Sequence, residues 1–304
     1  MNLVIAGFGA LGGRLGAILA ANGVPFRVFQ RRGATFDSLR SEGLRYIDAE
    51  GRAHVYRVDV TDDVSALAQR PSSLCLVLAK AYQTCEVASQ IAGFLAADGM
   101  ALTLQNGLGN AEALAAVFGE ARVAVGTCTY GAYRGDRGEV HFGGDGILRF
   151  GPMRPEGRVD DAAECLSAAG FSVQLEENPW HAVWDKVVLN AAANPVSALV
   201  RCRSGRLLEA PASMSLMRHL TVEAVMTANA EGIPTDIDTA WSRLLSVLSA
   251  TSANRTSMLQ DVEAHRRTET DAISGAIVDC ARGHGLDLPY TEAVHLLLSA
   301  LDEG

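Results

Sequence analysis

The chain predicts an α/β protein in two halves, with strands and helices alternating in the first and helices alone in the second. Three observations carry that expectation. An apolar strand runs into a glycine-rich turn and an apolar helix. Further apolar runs ending in turn residues continue to about residue 152. From about residue 178, apolar positions recur at helical spacing and strand signals fade.

Residues 2–6 read NLVIA, a continuous apolar run suited to a parallel strand buried on both faces. GFGALG follows and sets Gly7, Gly9 and Gly12 as G-x-G-x-x-G; LGAILAANG then continues as a helix, and FRVF at 26–29 reads as a second strand. That order of strand, glycine turn, helix and strand is the context a dinucleotide fingerprint requires. The reading assigns a diphosphate to the loop formed by Gly7, Phe8, Gly9, Ala10, Leu11 and Gly12. Gly7 permits the tight turn, Gly9 lets the diphosphate approach the backbone, and Gly12 lets helix and strand pack closely. The helix N-terminus supplies N–H donors and a positive dipole end. The first half is therefore expected to be a Rossmann-type domain.

The end of the second strand selects the cofactor. An NAD site usually carries an acidic residue about 20 residues along, and this chain reads Gln30-Arg31-Arg32. No carboxylate in that stretch opposes a 2′-phosphate, and a guanidinium clamps one in a fork. NADP(H) is expected, with Arg31 as the clamp and Arg32 as a solvated neighbour.

SLCLVLAKAYQT (73–84) predicts a buried strand leading to Lys80, and MALTLQNGLGN (100–110) another ending at Gln105-Asn106-Gly107. Ligands of open parallel sheets bind beyond the carboxyl ends of the strands, so Lys80 and Asn106 are expected beside the cofactor. The turn-rich, alternating stretch 124–152 predicts antiparallel strands extending the same sheet. Helices are expected over 180–194, 211–231, 236–252, 268–284 and 291–301, with Gly232-Ile233-Pro234 and Gly283-His284-Gly285 as stops. The domains are read as an NADP-binding Rossmann-type domain at 1–177 and a helical substrate domain at 178–304. A cleft between two such domains is a common place for a small substrate.

The net charge of −9 argues against nucleic acid or an anionic membrane as main partner. No run of 18 apolar residues occurs, and Met1 leads directly into the first strand without a basic leader, so a soluble cytoplasmic protein is expected. The six cysteines form no CxxC pair and read as buried free thiols. The seven histidines show no ligand spacing, so no metal is expected.

Positive charge is written with 24 Arg against two Lys, Lys80 and Lys186. On a helix, Lys186, Asn190 and Asn194 advance about 40° per four-residue step and share one face. Asn194 precedes Pro195, which predicts a helix end there. Arginine stays protonated, whereas lysine can release a proton, so lysine at 186 suits a place where a compact, transferable proton is needed.

GFGALG, LAKAYQT, LQNG, WDKVVLNAAANPVSAL and SMLQDVEAHRRTETDAISG, in this order, resemble the ketopantoate reductase family, the 2-dehydropantoate 2-reductases that use NADPH. The resemblance covers nearly the whole chain. It implies that Gly7, Gly9 and Gly12 cradle the diphosphate, that Arg31 meets the 2′-phosphate, and that Lys80 and Asn106 border the nicotinamide ribose. It further implies Lys186 as general acid and Asn190, Asn194, Asn254 and Ser257 as substrate holders. Glu269 would bond substrate hydroxyls and help place the lysine. The family usually has isoleucine where Thr270 stands, asparagine where Ser274 stands and often serine where Thr256 stands; these departures bear on the substrate.

The implied reaction reduces 2-dehydropantoate to pantoate, hydride going to the C2 carbonyl while the Lys186 ammonium stabilises and protonates the oxygen. The implied partner is a small 2-keto acid, and a homodimer is compatible with the sequence. Two alternatives stay open: a reductase of another 2-keto acid, and a non-catalytic NADPH-binding or sensing protein. One geometric expectation follows. Ser257 and Glu269 lie about 18 Å apart on a straight helix, so sharing a small substrate requires a break within Met258–Arg267.

Overall fold

The N-terminal apolar run forms β1 (Leu3–Ala6), with every residue buried, because parallel strands follow on both sides of it. In the computed structural model, which describes residues Met1–Gly135 and Arg137–Glu303, Leu3–Ala6 pairs with β2 (Phe26–Phe29) on one side. On the other it pairs with Leu74–Val77 of a later strand. Between β1 and β2 runs α1 (Ala10–Ala21). The chain continues through α2 (Ala34–Ser41), β3 (Leu44–Ile47), β4 (Ala53–Tyr56), β5 (Asp59–Thr61), α3 (Val64–Ala68) and β6 (Ser72–Val77). Next come α4 (Thr84–Ile91), β7 (Leu95–Thr103), α5 (Asn110–Phe118), β8 (Val123–Cys128), β9 (Gly131–Arg134), β10 (Val140–Gly144), β11 (Leu148–Pro152), α6 (Asp160–Ala168) and β12 (Val173–Leu175).

The main sheet has the order β12-β11-β8-β7-β6-β1-β2-β5. Strand order reverses at β1, the switch point where open parallel sheets bind ligands, and the glycine loop leaves β1 there.

The stretch 124–152 departs from the expected single extension. β8 runs parallel to β7 and only β11 is antiparallel to it. β9 and β10 instead join β3 and β4 in a second, four-stranded sheet. Asp136, inside the expected stretch, lies outside the described residues.

The second sheet is seated on α1 by residues that alternation does not reveal. A Cβ at Gly13 would come within 2.5 Å of a Val140 methyl, so only glycine lets β10 lie this close. Arg14, in the apolar helix, is 8% exposed. Its guanidinium lies 4.8 Å from the Phe142 ring centroid and 5.3 Å from that of Tyr46. It also donates to the Tyr46 hydroxyl at 2.7 Å and to Asp145 at 3.1 Å. A buried guanidinium is tolerated because aromatic faces and these acceptors replace water.

The second half is helical: α7 (Pro179–Val200), α8 (Ser204–Glu209), α9 (Pro211–Ala230), α10 (Ile237–Ala250), α11 (Ser257–Glu263), a π-helical turn Asp271–Gly275, α12 (Ala276–Gly283) and α13 (Pro289–Glu303). Local chemistry starts several of them. Asp236 caps α10 by accepting from Thr239 N–H at 2.8 Å, and Pro211 occupies the first turn of α9, where a missing N–H costs nothing. Glu223 of α9, buried, caps α13 by accepting from the Tyr290 and Thr291 amides.

The expected end of α7 at Asn194 is corrected. The helix passes through Pro195 to Val200. An interior proline costs about 3 kcal/mol. Burial of Ala192, Ala193 and Val196 with Leu207, Met217, Leu220 and Leu244 opposes that cost.

Residues group as two units, one of Met1–Gln105 with Asn110–Ala182 and one of Asn106–Gly109 with the chain from Val183 onward. No helix among the described residues is long and apolar enough to cross a membrane. The cysteines are free thiols, but only Cys75 and Cys128 are buried and Cys85 is exposed, which corrects the expectation of uniform burial.

Candidate active site

The glycine loop has the shape the fingerprint requires. Gly7 adopts φ +89°, and a Cβ there would meet Ala79 N at 2.3 Å. The loop after β6 thus packs directly on the glycine turn. A Cβ on Gly12 would lie 2.6 Å from Gly7 O, while one on Gly9 would meet no protein atom within 4 Å. Glycine at 7 and 12 is demanded by the fold; at 9 it keeps open the space over the N-terminus of α1. That terminus has no side-chain cap, so its first N–H groups suit a diphosphate. Phe8 is buried, and its N–H donates to Gln30 Oε1 at 2.8 Å. Ala10 and Leu11 are half-buried in the first turn of α1.

Arg31 and Arg32 are both exposed beyond β2. The sequence stretch carries no carboxylate, but the fold brings two. Glu86 Oε2 of α4 lies 3.7 Å from Arg31, and Asp62 pairs with Arg32 at 2.6 Å. The Asp62 hydrogen bond holds the Arg32 guanidinium above its usual range. Arg32 is thus engaged by an acid at close range and Arg31 by a looser contact.

Lys80 stands three residues beyond the end of β6 and precedes a short 3₁₀ turn, its carbonyl accepting from Gln83 N–H at 2.8 Å. Its loop is held by a buried network that sequence reading missed. Gln105 Nε2 donates to Ala79 O and to Thr84 Oγ1, both at 2.8 Å. Thr84 Oγ1 donates to Asn110 Oδ1 at 2.8 Å, and Thr103 Oγ1 donates to Gln105 Oε1 at 3.0 Å. The signal available was a buried amide beside two strand ends, which must find partners.

In the helical unit, Lys186 and Asn190 lie half-buried on one face of α7, and Asn194 is 6% exposed. Lys186 and Asn194 are about 12 Å apart along the axis, so a small molecule touching Lys186 lies nearer Asn190. Ser197, which the sequence reading missed, and Thr256 join α7 to the start of α11. Thr256 Oγ1 donates to Ser197 Oγ at 3.2 Å and also caps α11 by accepting from Leu259 N–H. Ser257, the first residue of α11, and Asn254 are exposed. The Asn254 carbonyl accepts from Ser204 N–H at 3.0 Å, and its side-chain Oδ1 takes the neighbouring Arg255 N–H at 3.0 Å.

The break between Ser257 and Glu269 is present. α11 stops at Glu263, and His265 takes φ +49°. Arg266 N–H turns back to Asp261 O at 2.9 Å. A new helical segment then begins beside Glu269, which is 7% exposed. Asn106 Nδ2 donates to Glu269 Oε2 at 3.3 Å, joining two residues that lie in separate sequence motifs. The loop that carries Asn106 is seated on the π-helical turn. Leu108 N–H donates to Ala272 O at 2.8 Å, and Gly107, at φ +84°, lies so close that a Cβ would come within 2.2 Å of that oxygen. A π-helical turn shifts the hydrogen-bond register, a feature frequent at functional sites. Among the described residues no group of three or more His, Cys, Asp or Glu is placed to hold a metal.

Comparison with known proteins gives the family and the fold. Residues 3–155 match the family model "Ketopantoate reductase PanE/ApbA", and residues 178–302 match "Ketopantoate reductase PanE/ApbA C terminal". The chain is 33% identical to a 2-dehydropantoate 2-reductase of Halobacterium salinarum over 291 residues, 95% of each chain. It is 32% identical to one of Archaeoglobus fulgidus over 303 residues, 99% of this chain and 97% of the other. Among solved structures, a PanE/ApbA family ketopantoate reductase from Ralstonia eutropha superposes with a TM-score of 0.88 at 28% identity, covering 100% and 99% of the two chains. A D-mandelate dehydrogenase solved with NADH and anilino(oxo)acetate shares the fold, with a TM-score of 0.92 at 21% identity and the same coverage.

Proposed function

The chain belongs to the ketopantoate reductase family of oxidoreductases, and on that premise we propose that it reduces 2-dehydropantoate to pantoate with NADPH. The observation that carries the reading is the pairing of Asn106 with Glu269. It brings a residue from the strand-end motif expected beside the cofactor against the acid expected to hold the substrate.

The residues present fit a dinucleotide. The open space at Gly9 and the uncapped start of α1 suit the diphosphate, and the exposed Arg31 suits a 2′-phosphate. NADP(H) is favoured over NAD(H) because Gln30 stands where an NAD site places its acid and turns its oxygen to Phe8 N–H. When bound, NADPH supplies the hydride.

Lys186 is assigned as general acid. Its ammonium donates a proton from Nζ to the oxygen on which charge builds as the C2 carbonyl is reduced. Asn190 and Asn194 offer amide N–H groups on the same face of α7, neutral donors that bind a substrate carboxylate or hydroxyl without adding negative charge. Asn254 and Ser257 extend that donor set at the start of α11. Glu269, which accepts from the Asn106 amide, is assigned to hold a substrate hydroxyl.

Purified protein with NADPH and 2-dehydropantoate tests the reading through loss of the reduced-nicotinamide absorbance. Turnover is expected, with Lys186→Ala and Lys186→Arg each losing about 10²- to 10⁴-fold in kcat while still binding NADPH. Arginine cannot substitute because it does not release its proton. Absence of turnover with this keto acid, or a Lys186→Ala enzyme at full rate, refutes the proposal.

A further inference from the structure

Glu269 sits between two threonines, Thr268 and Thr270, each 1% exposed, and both are bonded to one face of α13. Thr268 N–H donates to Asp302 Oδ1 at 3.0 Å and Oδ2 at 3.1 Å, and its hydroxyl donates to Oδ2 at 2.8 Å. Thr270 Oγ1 lies 3.3 Å from His295 Nδ1. His295 and Asp302 are seven residues apart, two turns of helix, and so project from the same side. Thr268 in turn accepts from Thr270 N–H at 3.3 Å, which makes it the cap of the segment that Glu269 opens.

Asp302 is poorly placed for its own helix. It lies in the last turn of α13, where the negative end of the helix dipole disfavours a carboxylate. Its position is repaid at the segment it reaches, where the Thr268 amide is satisfied and a negative charge meets a helix start. At the other end of α13, Glu223 makes bonds of the same kind, but these satisfy the amides of α13 itself.

We propose that Asp302 and His295 are positioning residues for Glu269, a brace from the C-terminal helix that fixes the backbone on both sides of that acid. The inference rests on the reading of Glu269 as a substrate-holding residue. Asn106 meets the carboxylate, while α13 holds the main chain from which that carboxylate projects. The His295 arm depends on the hydroxyl at Thr270.

Steady-state kinetics with saturating NADPH, together with nucleotide titration and thermal unfolding, tests the brace in Asp302→Ala, Asp302→Asn, His295→Ala, Glu223→Gln and Glu269→Gln. Asp302→Ala is expected to lower kcat/KM for the keto acid about tenfold or more, the cost of a misplaced substrate-holding group. NADPH affinity is expected to stay unchanged. Asp302→Asn keeps an acceptor for Thr268 N–H and recovers most of the loss. Glu223→Gln loosens the opposite end of α13 and lowers the melting temperature without that loss. In a Glu269→Gln background, Asp302→Ala has no further effect.

Wild-type kinetics for Asp302→Ala overturns the brace, as does an equal loss in Glu223→Gln or a multiplicative effect in the double variant. A Glu269→Gln enzyme at full rate sinks the substrate-holding reading as well, which separates the two failures. Should Asp302→Ala not fold, His295→Ala removes the Thr270 contact and the 4.0 Å pairing with Asp271 but leaves the Thr268 bonds in place, and a loss of kcat/KM at unchanged NADPH affinity supports the brace while an unchanged rate overturns it.

Discussion

Replacing Gly107 with alanine gives the sharpest test of how the Asn106 loop is seated. The residue has φ +84°, and the added Cβ would lie 2.2 Å from Ala272 O and 2.7 Å from Ala272 C. An ordinary carbon–oxygen contact is about 3.3 Å, so the loop must retreat from the π-helical turn by about 1 Å. That retreat breaks the Leu108 N–H to Ala272 O bond of 2.8 Å, worth about 0.5–1.5 kcal/mol. The left-handed backbone adds about 1–2 kcal/mol for any residue with a Cβ.

Gly109 supplies the control. It has φ +83°, but a Cβ there meets nothing within 4 Å. Gly109→Ala therefore carries the backbone cost alone, and the difference between the two variants isolates the contact. A displacement of about 1 Å at Asn106 is expected to cost up to about 10²-fold in kcat/KM. Gly107→Ala should thus fall well below Gly109→Ala in steady-state assays. Amide exchange at Leu108 should quicken only in Gly107→Ala. Equal kinetics and equal exchange in the two variants would refute the reasoning.

Two further outcomes are expected. Gln105→Met strands Ala79 O and takes the acceptor from the Thr103 hydroxyl, a cost of about 1–3 kcal/mol for each buried group left unpaired. It should raise the KM for NADPH more than that for the keto acid, because the Lys80 loop is what it releases; an unchanged NADPH KM counts against that role for the network. Asp236 is held below the usual carboxylate range by the Thr239 hydroxyl and amide. Its folded value lies below its unfolded one, so its stabilisation is complete above about pH 4 and fades as pH falls through the folded value. Thermal unfolding of Asp236→Ala should therefore show a deficit at neutral pH that closes in acid; a deficit that widens in acid contradicts the assignment.

The fold of the first half was legible where chemistry is local. NLVIA, the three glycines and FRVF announce a buried strand, a turn that must approach other backbone and a second strand, and the structure places β1, α1 and β2 within a residue or two of those stretches. The helical character of the second half was equally legible from apolar spacing. Long-range pairing was not. Nothing in the alternation of 124–152 distinguishes a strand that joins β8 from one that joins β3, because both expose one face and bury the other. Pro195 reads locally as a stop, and only tertiary burial of its neighbours on α7 overrides it.

The same division applies to the candidate site. Sequence by itself determined the residue types: glycines able to receive a diphosphate, a lysine kept where arginine is otherwise the rule, and amides repeating every four residues on one helix face. Tertiary structure decided their company. It brought Glu86 to Arg31, Asn106 to Glu269, and Asp302 and His295 to the threonines flanking that acid. A side chain's chemistry and its neighbours within a turn or two are set by covalent spacing and short-range geometry. Partners 34 or 163 residues away are set only when the whole chain buries its apolar surface, and no local pattern encodes that choice.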